Sequence, residues 1–298
     1  MVPYSAASRI KALEPAMQEQ ARAQDFMQLN GYRAGALIAG QWLLVAATIV
    51  LSVMADHVLA YLAAVWFIGS RMVSLAEVIG HEAVHNNLFK RRALNRQLEL
   101  FWFLPIFESY DSYKADHDKH HAFLLTEKDP AYQDYERWGL HAEKPNFFWI
   151  WFVRPFFFFD TLYMIQVTLS GLWNDAGYRK RMLMFWAPIA AILFATGTVE
   201  LFFWYWMVPW LWAYPALIFW SEVGEHYKTP AGKTRNTFGF AEWLLISPHN
   251  DRFHAVHHRF PRIPWYNLGK AHAALSAERL GPAGESRSFL GLYRQIAA

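Results

Sequence analysis

Two stretches of this chain repeat one pattern, H-x-x-H-H: His117-Asp118-Lys119-His120-His121 and His254-Ala255-Val256-His257-His258. On a helix, positions i, i+3 and i+4 share a side, so each pentad is expected to aim three imidazoles at one point. His81 and His85 add an i, i+4 pair, and His226 closes Glu222-Val223-Gly224-Glu225-His226. The candidate ligands are therefore His81, His85, His117, His120, His121, His226, His254, His257 and His258. Zinc usually stops at about four donors and first-row transition metals at about six, so this set implies two ions. A fold that serves such a site must gather segments from both halves of the chain. Of the other histidines, His57, His141 and His272 are expected at the surface, while His249 stays open as a ligand.

The remainder of the 298 residues fixes where this gathering happens. Apolar residues make up 54%, with Trp 15, Tyr 14 and Phe 24, yet mean hydropathy is only +0.04. Apolar spans must then alternate with a polar part, as in a membrane protein with a large aqueous portion. Cysteine is absent, which excludes disulfides, thiolate metal sites and an iron-sulfur cluster within this sequence. A net charge of +3 is too mild to argue for a nucleic-acid partner.

Spans are expected at about 34–55, 58–80, 182–204 and 207–226, each near the roughly 20 residues that cross a bilayer. The second runs directly into His81 and contains Arg71 and Glu77, charges that are costly in lipid and so candidates for function. Residues 98–107 read as an amphipathic segment, and 146–169, dense in Phe and Trp but broken by Arg154, Pro155 and Asp160, as an interfacial helix. No Lys or Arg occurs at 34–70 or 182–227, so the positive-inside rule puts both termini and all the histidine groups in the cytosol. The amino-terminal 33 residues lack the apolar core of a signal peptide. The expected fold is an all-α membrane protein of one domain, 1–298, whose four transmembrane helices carry a helical cytosolic cap, 81–145 and 227–298, around a dinuclear metal site.

A site built of neutral imidazoles leaves most of the metal charge uncompensated, which suits iron and redox chemistry. Glu82, Asp118 and Asp251 each stand three residues before a histidine and could join the ligands or orient them. Glu222, four before His226 on the same helical side, is the acid best placed to hold a metal-bound water.

These residues resemble a known family. HEAVH at 81–85, HDKHH at 117–121 and HAVHH at 254–258 are similar to the three histidine boxes of integral-membrane fatty acid desaturases and their related hydroxylases. EVGEH at 222–226 and PHNDRFHAVHHRFPRIPWYNLGKAH from Pro248 are similar to the bacterial branch, and the likeness covers about 35–275. The resemblance implies a mushroom-shaped fold in which nine histidines, His226 among them, hold two irons beneath a bilayer such as the bacterial inner membrane. It implies a desaturase that puts a double bond into an acyl or lipid-like chain, using dioxygen and two external electrons, with a hydroxylase as the alternative. Many members carry Asn where Glu222 stands. No G-x-G-x-x-G loop or haem domain is present in the sequence, so the donor is expected to be a ferredoxin, rubredoxin or cytochrome partner meeting the basic cytosolic face.

Two other classes compete. His81-Glu82-x-x-His85 also fits the zinc metalloprotease signature, with Glu82 as general base, but that reading leaves the other histidines idle. A metal transporter would be expected to place its ligands along a path inside the bilayer.

Overall fold

The first long helix begins where Asn30 accepts hydrogen bonds from the backbone N–H groups of Tyr32 and Arg33. In the computed structural model this helix, α1, runs Gly31–Ala55 and stops at Asp56, whose left-handed backbone turns the chain. His57 caps α2, which extends Val58–Val84 and carries His81 in its last turn. The structure describes residues 19–229, 233–275 and 284–298. Arg9 and Lys11 of the polar amino-terminal arm lie outside these, as do Pro230 and Gly232.

After α2 come a short helix α3 (Arg92–Gln97), then α4 (Tyr110–Phe123) and α5 (Pro130–Arg137). The aromatic tract forms α6 (Phe159–Asn174), which is followed by α7 (Ala176–Thr196) and α8 (Val199–His226). The carboxy-terminal part holds α9 (His254–Arg259), α10 (Trp265–Leu275) and α11 (Phe289–Ala297). A parallel pair, Asn236–Thr237 with Glu285–Ser286, is the only β-pairing among the described residues. The protein is all-α, as expected. Helices α1, α2 and α8 are long and apolar enough to cross a membrane. Exposed Leu43, Leu51 and Met54 on α1 and Leu201 and Phe203 on α8 give these helices the apolar outer surface that lipid requires.

The expected hairpin between the last two spans is displaced. Its turn is at Gly197, with φ of 69°, rather than near residues 205–206, so α8 begins at Val199. Trp204, Tyr205 and Trp206, at the expected turn, lie instead in a wide π-helical turn at Phe203–Met207. Helix α7 starts earlier than expected, and its first two turns contain Arg179, Lys180 and Arg181.

Residues 98–107 also depart from expectation. Instead of a surface amphipathic segment they form short 3₁₀ turns that bury Trp102 and Phe103 completely. The backbone can be buried because side chains satisfy it: Trp186, Trp206 and Trp210 donate to the carbonyls of Leu104, Pro105 and Ile106, and Tyr178 donates to that of Phe107. The buried segment then packs on the end of α2. A Cβ on Gly80 would meet the Phe103 ring at 2.3 Å, so only glycine admits the ring. Helices α2 and α8 approach as closely at Gly69, where a Cβ would fall 2.6 Å from that of Ala213.

The polar residues inside the apolar tracts are tied to one another. Arg71 donates to Gln41 of α1, to Ser70 and to the carbonyl of Leu244, while Gln41 contacts His249 at 3.0 Å. Asp160 pairs with both Arg154 and Arg137 and accepts from Trp138 Nε1, which fastens α5 to the broken aromatic tract. Both charges of that tract are thus buried within the protein and paired.

Gly80→Ala is expected to lower stability by about 1–3 kcal/mol through overpacking against Phe103. Thermal unfolding in detergent measures this, and an unchanged midpoint would remove the packing argument.

Candidate metal centre

The nine histidines come from α2 and its C-cap His85, α4, α8 and α9, and their nitrogens fall into two groups. His81, His85, His117, His121 and His257 form one, and His120, His226, His254 and His258 the other, with the donor atoms of each group within 4.8 Å of one another. Each pentad is therefore split, contrary to the expectation that its three rings aim at one point. On a helix, position i+4 lies about 40° from i, whereas i+3 lies about 60° to the other side. So His117 and His121 face one group and His120 the other. In α9 the assignment is reversed, with His254 and His258 paired and His257 turned away.

The Nε2 atoms face inward. In the first group, His81 contacts His257 at 2.8 Å, His85 contacts His117 at 2.8 Å, and His121 contacts His257 at 3.1 Å. In the second, His226 meets His254 at 3.0 Å, His120 at 3.1 Å and His258 at 3.2 Å. An Nε2 carries either one proton or one lone pair, so His226 cannot satisfy three neighbours by hydrogen bonding. A cation can satisfy all of them. With metal–nitrogen bonds of about 2.1 Å, donors at right angles stand about 3.0 Å apart, which fits these spacings. The donor set accordingly fits metal ions.

The rear nitrogens fix this orientation. His81 Nδ1 donates to the carbonyl of Glu77 at 3.0 Å, and His226 Nδ1 to that of Glu222 at 3.1 Å, each an i, i−4 contact along its own helix. His120 Nδ1 lies 3.0 Å from the fully buried carboxylate of Asp129. His254 Nδ1 is 3.4 Å from Glu225 Oε2, while His257 Nδ1 has no partner among the described residues. With Nδ1 holding the proton, the lone pair stays on Nε2 and points into the group.

Local structure sets each ring. Ser109 caps α4, and Asp129 caps α5 while also accepting from Leu125 N–H. The start of α9 is held by Asn236, whose side chain accepts from Ala255 N–H. Arg235 donates to the carbonyls of Gly224 and Tyr227 and closes the end of α8 beside His226.

Among the acids singled out by sequence, Glu222 accepts a 2.6 Å bond from Tyr135 and contacts His226 Nδ1 at 3.2 Å. Glu82 is buried against Asn87 and Trp265 and does not line the cavity described below. Asp118 pairs with Lys114 on the exposed side of α4. Asp251 is buried close to Glu225. Glu77 accepts from Tyr113, whose ring stacks on His117. His249 belongs to neither group. His57 and His141 are exposed as expected, but His272 is half-buried, 3.5 Å from Glu285. Asp129 was missed because its Asp-Pro sequence signals only a helix cap.

A cavity of about 360 Å³ reaches the centre from between α4, α5 and α6. His81, His117, His120, His226 and His254 face it, as do apolar Ile106, Phe107, Met164, Val167 and Ile218.

Burial keeps most of these rings neutral. Desolvation, then neighbouring imidazoles, pulls His85 down to about 2 and His121 to about 4, and holds His117, His254, His257 and His258 well below the ordinary range. His120 also suffers desolvation, but its bond to Asp129 and the nearby carboxylates of Glu222 and Glu77 outweigh it and raise its pKa.

Two outcomes follow from this geometry. Unfolded imidazoles take up protons near pH 6.5, whereas most of the folded ones do so only in stronger acid. The metal-free chain should therefore lose stability as pH falls from about 6.5 toward 4; a midpoint of unfolding that is flat or rises over this window in chelator-treated protein would contradict the shifts. Asp129→Asn should weaken metal binding in the second group about 10- to 100-fold by freeing His120. Competition with a calibrated chelator would read this as loss of one ion before the other.

A family model described as fatty acid desaturase matches residues 56–287, well over half of the chain. Curated relatives include the dihydrorhizobitoxine desaturase of Bradyrhizobium elkanii, 27% identical over 260 residues, or 78% of this chain and 72% of that protein. The sn-1 oleoyl-lipid 12-desaturase of Synechocystis sp. is 25% identical over 251 residues, 75% of this chain and 70% of its own. The chloroplastic omega-6 fatty acid desaturase of Arabidopsis thaliana is 22% identical over 235 residues, 66% of this chain and 49% of its own. Nine histidines drawn into two groups at the ends of apolar helices, and a family match across both pentads, lead to one assignment: the chain belongs to the fatty acid desaturase family, a family of oxidoreductases.

Proposed function

We propose that this protein is a membrane-bound di-iron desaturase that inserts a double bond into an aliphatic chain, acyl or lipid-like. The observation that carries the proposal is the sorting of nine inward Nε2 atoms into sets of five and four. His81, His85, His117, His121 and His257 would hold one ion, and His120, His226, His254 and His258 the other. When bound, the irons supply the oxidising chemistry by which dioxygen and two external electrons remove hydrogen from an unactivated C–H bond. In balance, the chain loses two hydrogens and dioxygen takes up those together with two electrons and two protons, giving two waters.

The protein's own part is positioning. Glu77, Asp129 and Glu222 hold rear nitrogens, so the rings need no reorganisation when metal binds. Glu222, which lines the cavity while holding His226, is the acid we assign to a water beside the second group. The cavity admits the chain and its apolar walls keep bulk water from the reacting carbon. Residues 1–298 act as one domain. Its spans would be α1, α2, α7 and α8, with 146–169 at the interface and both termini in the cytosol, as in a bacterial inner membrane. An external one-electron carrier, a ferredoxin, rubredoxin or cytochrome, would meet the cytosolic face near half-buried His85 and His121.

The protease reading loses support, because Glu82 does not line the cavity and the other histidines crowd around His81 and His85. Purified protein should contain two irons per chain and, with a reductase system, yield a dioxygen-dependent unsaturated product by mass spectrometry. One zinc per chain, or a product that forms without dioxygen, would overturn the proposal; an alcohol product would instead select the hydroxylase.

A further inference from the structure

The cavity that reaches the histidines carries the wrong charge for a fatty acid. Its acidic lining includes Glu77, Glu108, Asp116 and Asp134, and its one guanidinium is that of Arg137. Arg137 is already committed, paired with Asp134 at 2.6 Å and with Asp160, and stacked over the Tyr163 ring. Asp116, at the exposed rim, is paired with Lys119 at 3.2 Å, so among the described lining residues no unpaired Lys or Arg is left to receive a carboxylate or phosphate.

Glu108 is the acid that stands out. Half-buried in the wall, it accepts one bond, from the N–H of Ser109, and has no cationic partner among the described residues. Burial, with Asp116 and Glu77 as its charged neighbours, pushes its carboxyl up to about 7. At the inner end Asp251 is 7% exposed, faces the same cavity and makes no hydrogen bond among the described residues. Acids beside the imidazoles, Glu222 and Glu225 among them, would be balanced by the ions bound there. Glu108 is not in contact with either group, so that balance does not reach it.

Three kinds of head group can be compared at this wall. An anion would face unpaired Glu108 across a partly desolvated space, where like charges repel more than they do in water, while Asp116 and Asp134 already hold their own cations. A neutral hydroxyl head could donate one hydrogen bond to Glu108 but would leave its charge uncompensated. A protonated amine would gain a charge-assisted hydrogen bond from each carboxylate it reaches. We infer that the substrate of this site is an aliphatic chain bearing a protonated amine, received by Glu108, while apolar Met164, Val167 and Ile218 cover the chain on its way to the histidines. This rests on the desaturase reading for what happens to the chain, but not for what binds.

Binding of octylamine, octanol and octanoate tests the inference at constant chain length. The full-length protein is placed in nanodiscs of zwitterionic lipid and titrated calorimetrically, metal-free and iron-loaded, with empty nanodiscs subtracted for partition. Octylamine should bind about tenfold more tightly than octanol, and octanoate most weakly. Glu108→Gln, which keeps an acceptor for Ser109, should abolish the advantage of the amine and leave octanol unchanged. Glu108→Lys should favour octanoate. Octanol or octanoate binding as well as the amine, or amine affinity unchanged in Glu108→Gln, would overturn the assignment. The two readings fail separately: amine selectivity without dioxygen-dependent product removes the oxidation alone, and desaturation of acyl chains without amine selectivity removes this inference alone.

Discussion

Nine imidazoles, packed so that their Nε2 atoms converge, are held in an arrangement that hydrogen bonds among them cannot satisfy. Within each group several pairs of Nε2 atoms stand about as close as a hydrogen bond, yet lone pairs cannot bond one another. The protein meets this from behind. Carbonyls one helical turn back fix His81 and His226, and the buried Asp129 fixes His120. The same arrangement decides the tautomer, and with it which nitrogen can bind a cation. Burial adds to it by holding His85, His117, His121, His254, His257 and His258 below the ordinary imidazole range.

The scaffold supplies rigidity where the rings need it. Helix α2 crosses α8 at Gly69 and Ala213 with no room for a further carbon, and Phe103 closes on Gly80 directly before His81. The buried turn at 98–107 would be untenable with its carbonyls unmatched. Three tryptophans and a tyrosine meet them, so part of the chain's aromatic content is hydrogen-bonding material as well as lipid-facing surface.

Much of this was legible in the sequence. The three histidine segments, the lone His226 and the first two spans show as local patterns, and local patterns are what spacing reports. What failed to show depends on direction or distance. The split of each pentad hangs on the sign of a rotation, 40° one way against about 60° the other, which counting residues does not reveal. The hairpin turn was expected at 205–206, whereas the chain turns at Gly197, between Thr196 and Thr198, in a break too short to interrupt the apolar pattern on either side. Asp129 and Glu108 carry no motif of their own. One gains its place by folding under His120, the other by being left without a cation in a cavity wall.

The split pentads have a structural consequence. Helices α4 and α9 each contribute rings to both groups, in opposite order, so neither group can shift without dragging the other. The gap between the two is a property of single helical turns, set by pitch and not by how loosely the bundle packs around them. Swelling of the membrane domain, or a substitution that loosens α6 or α7, would change access to the centre while leaving its internal ruler untouched.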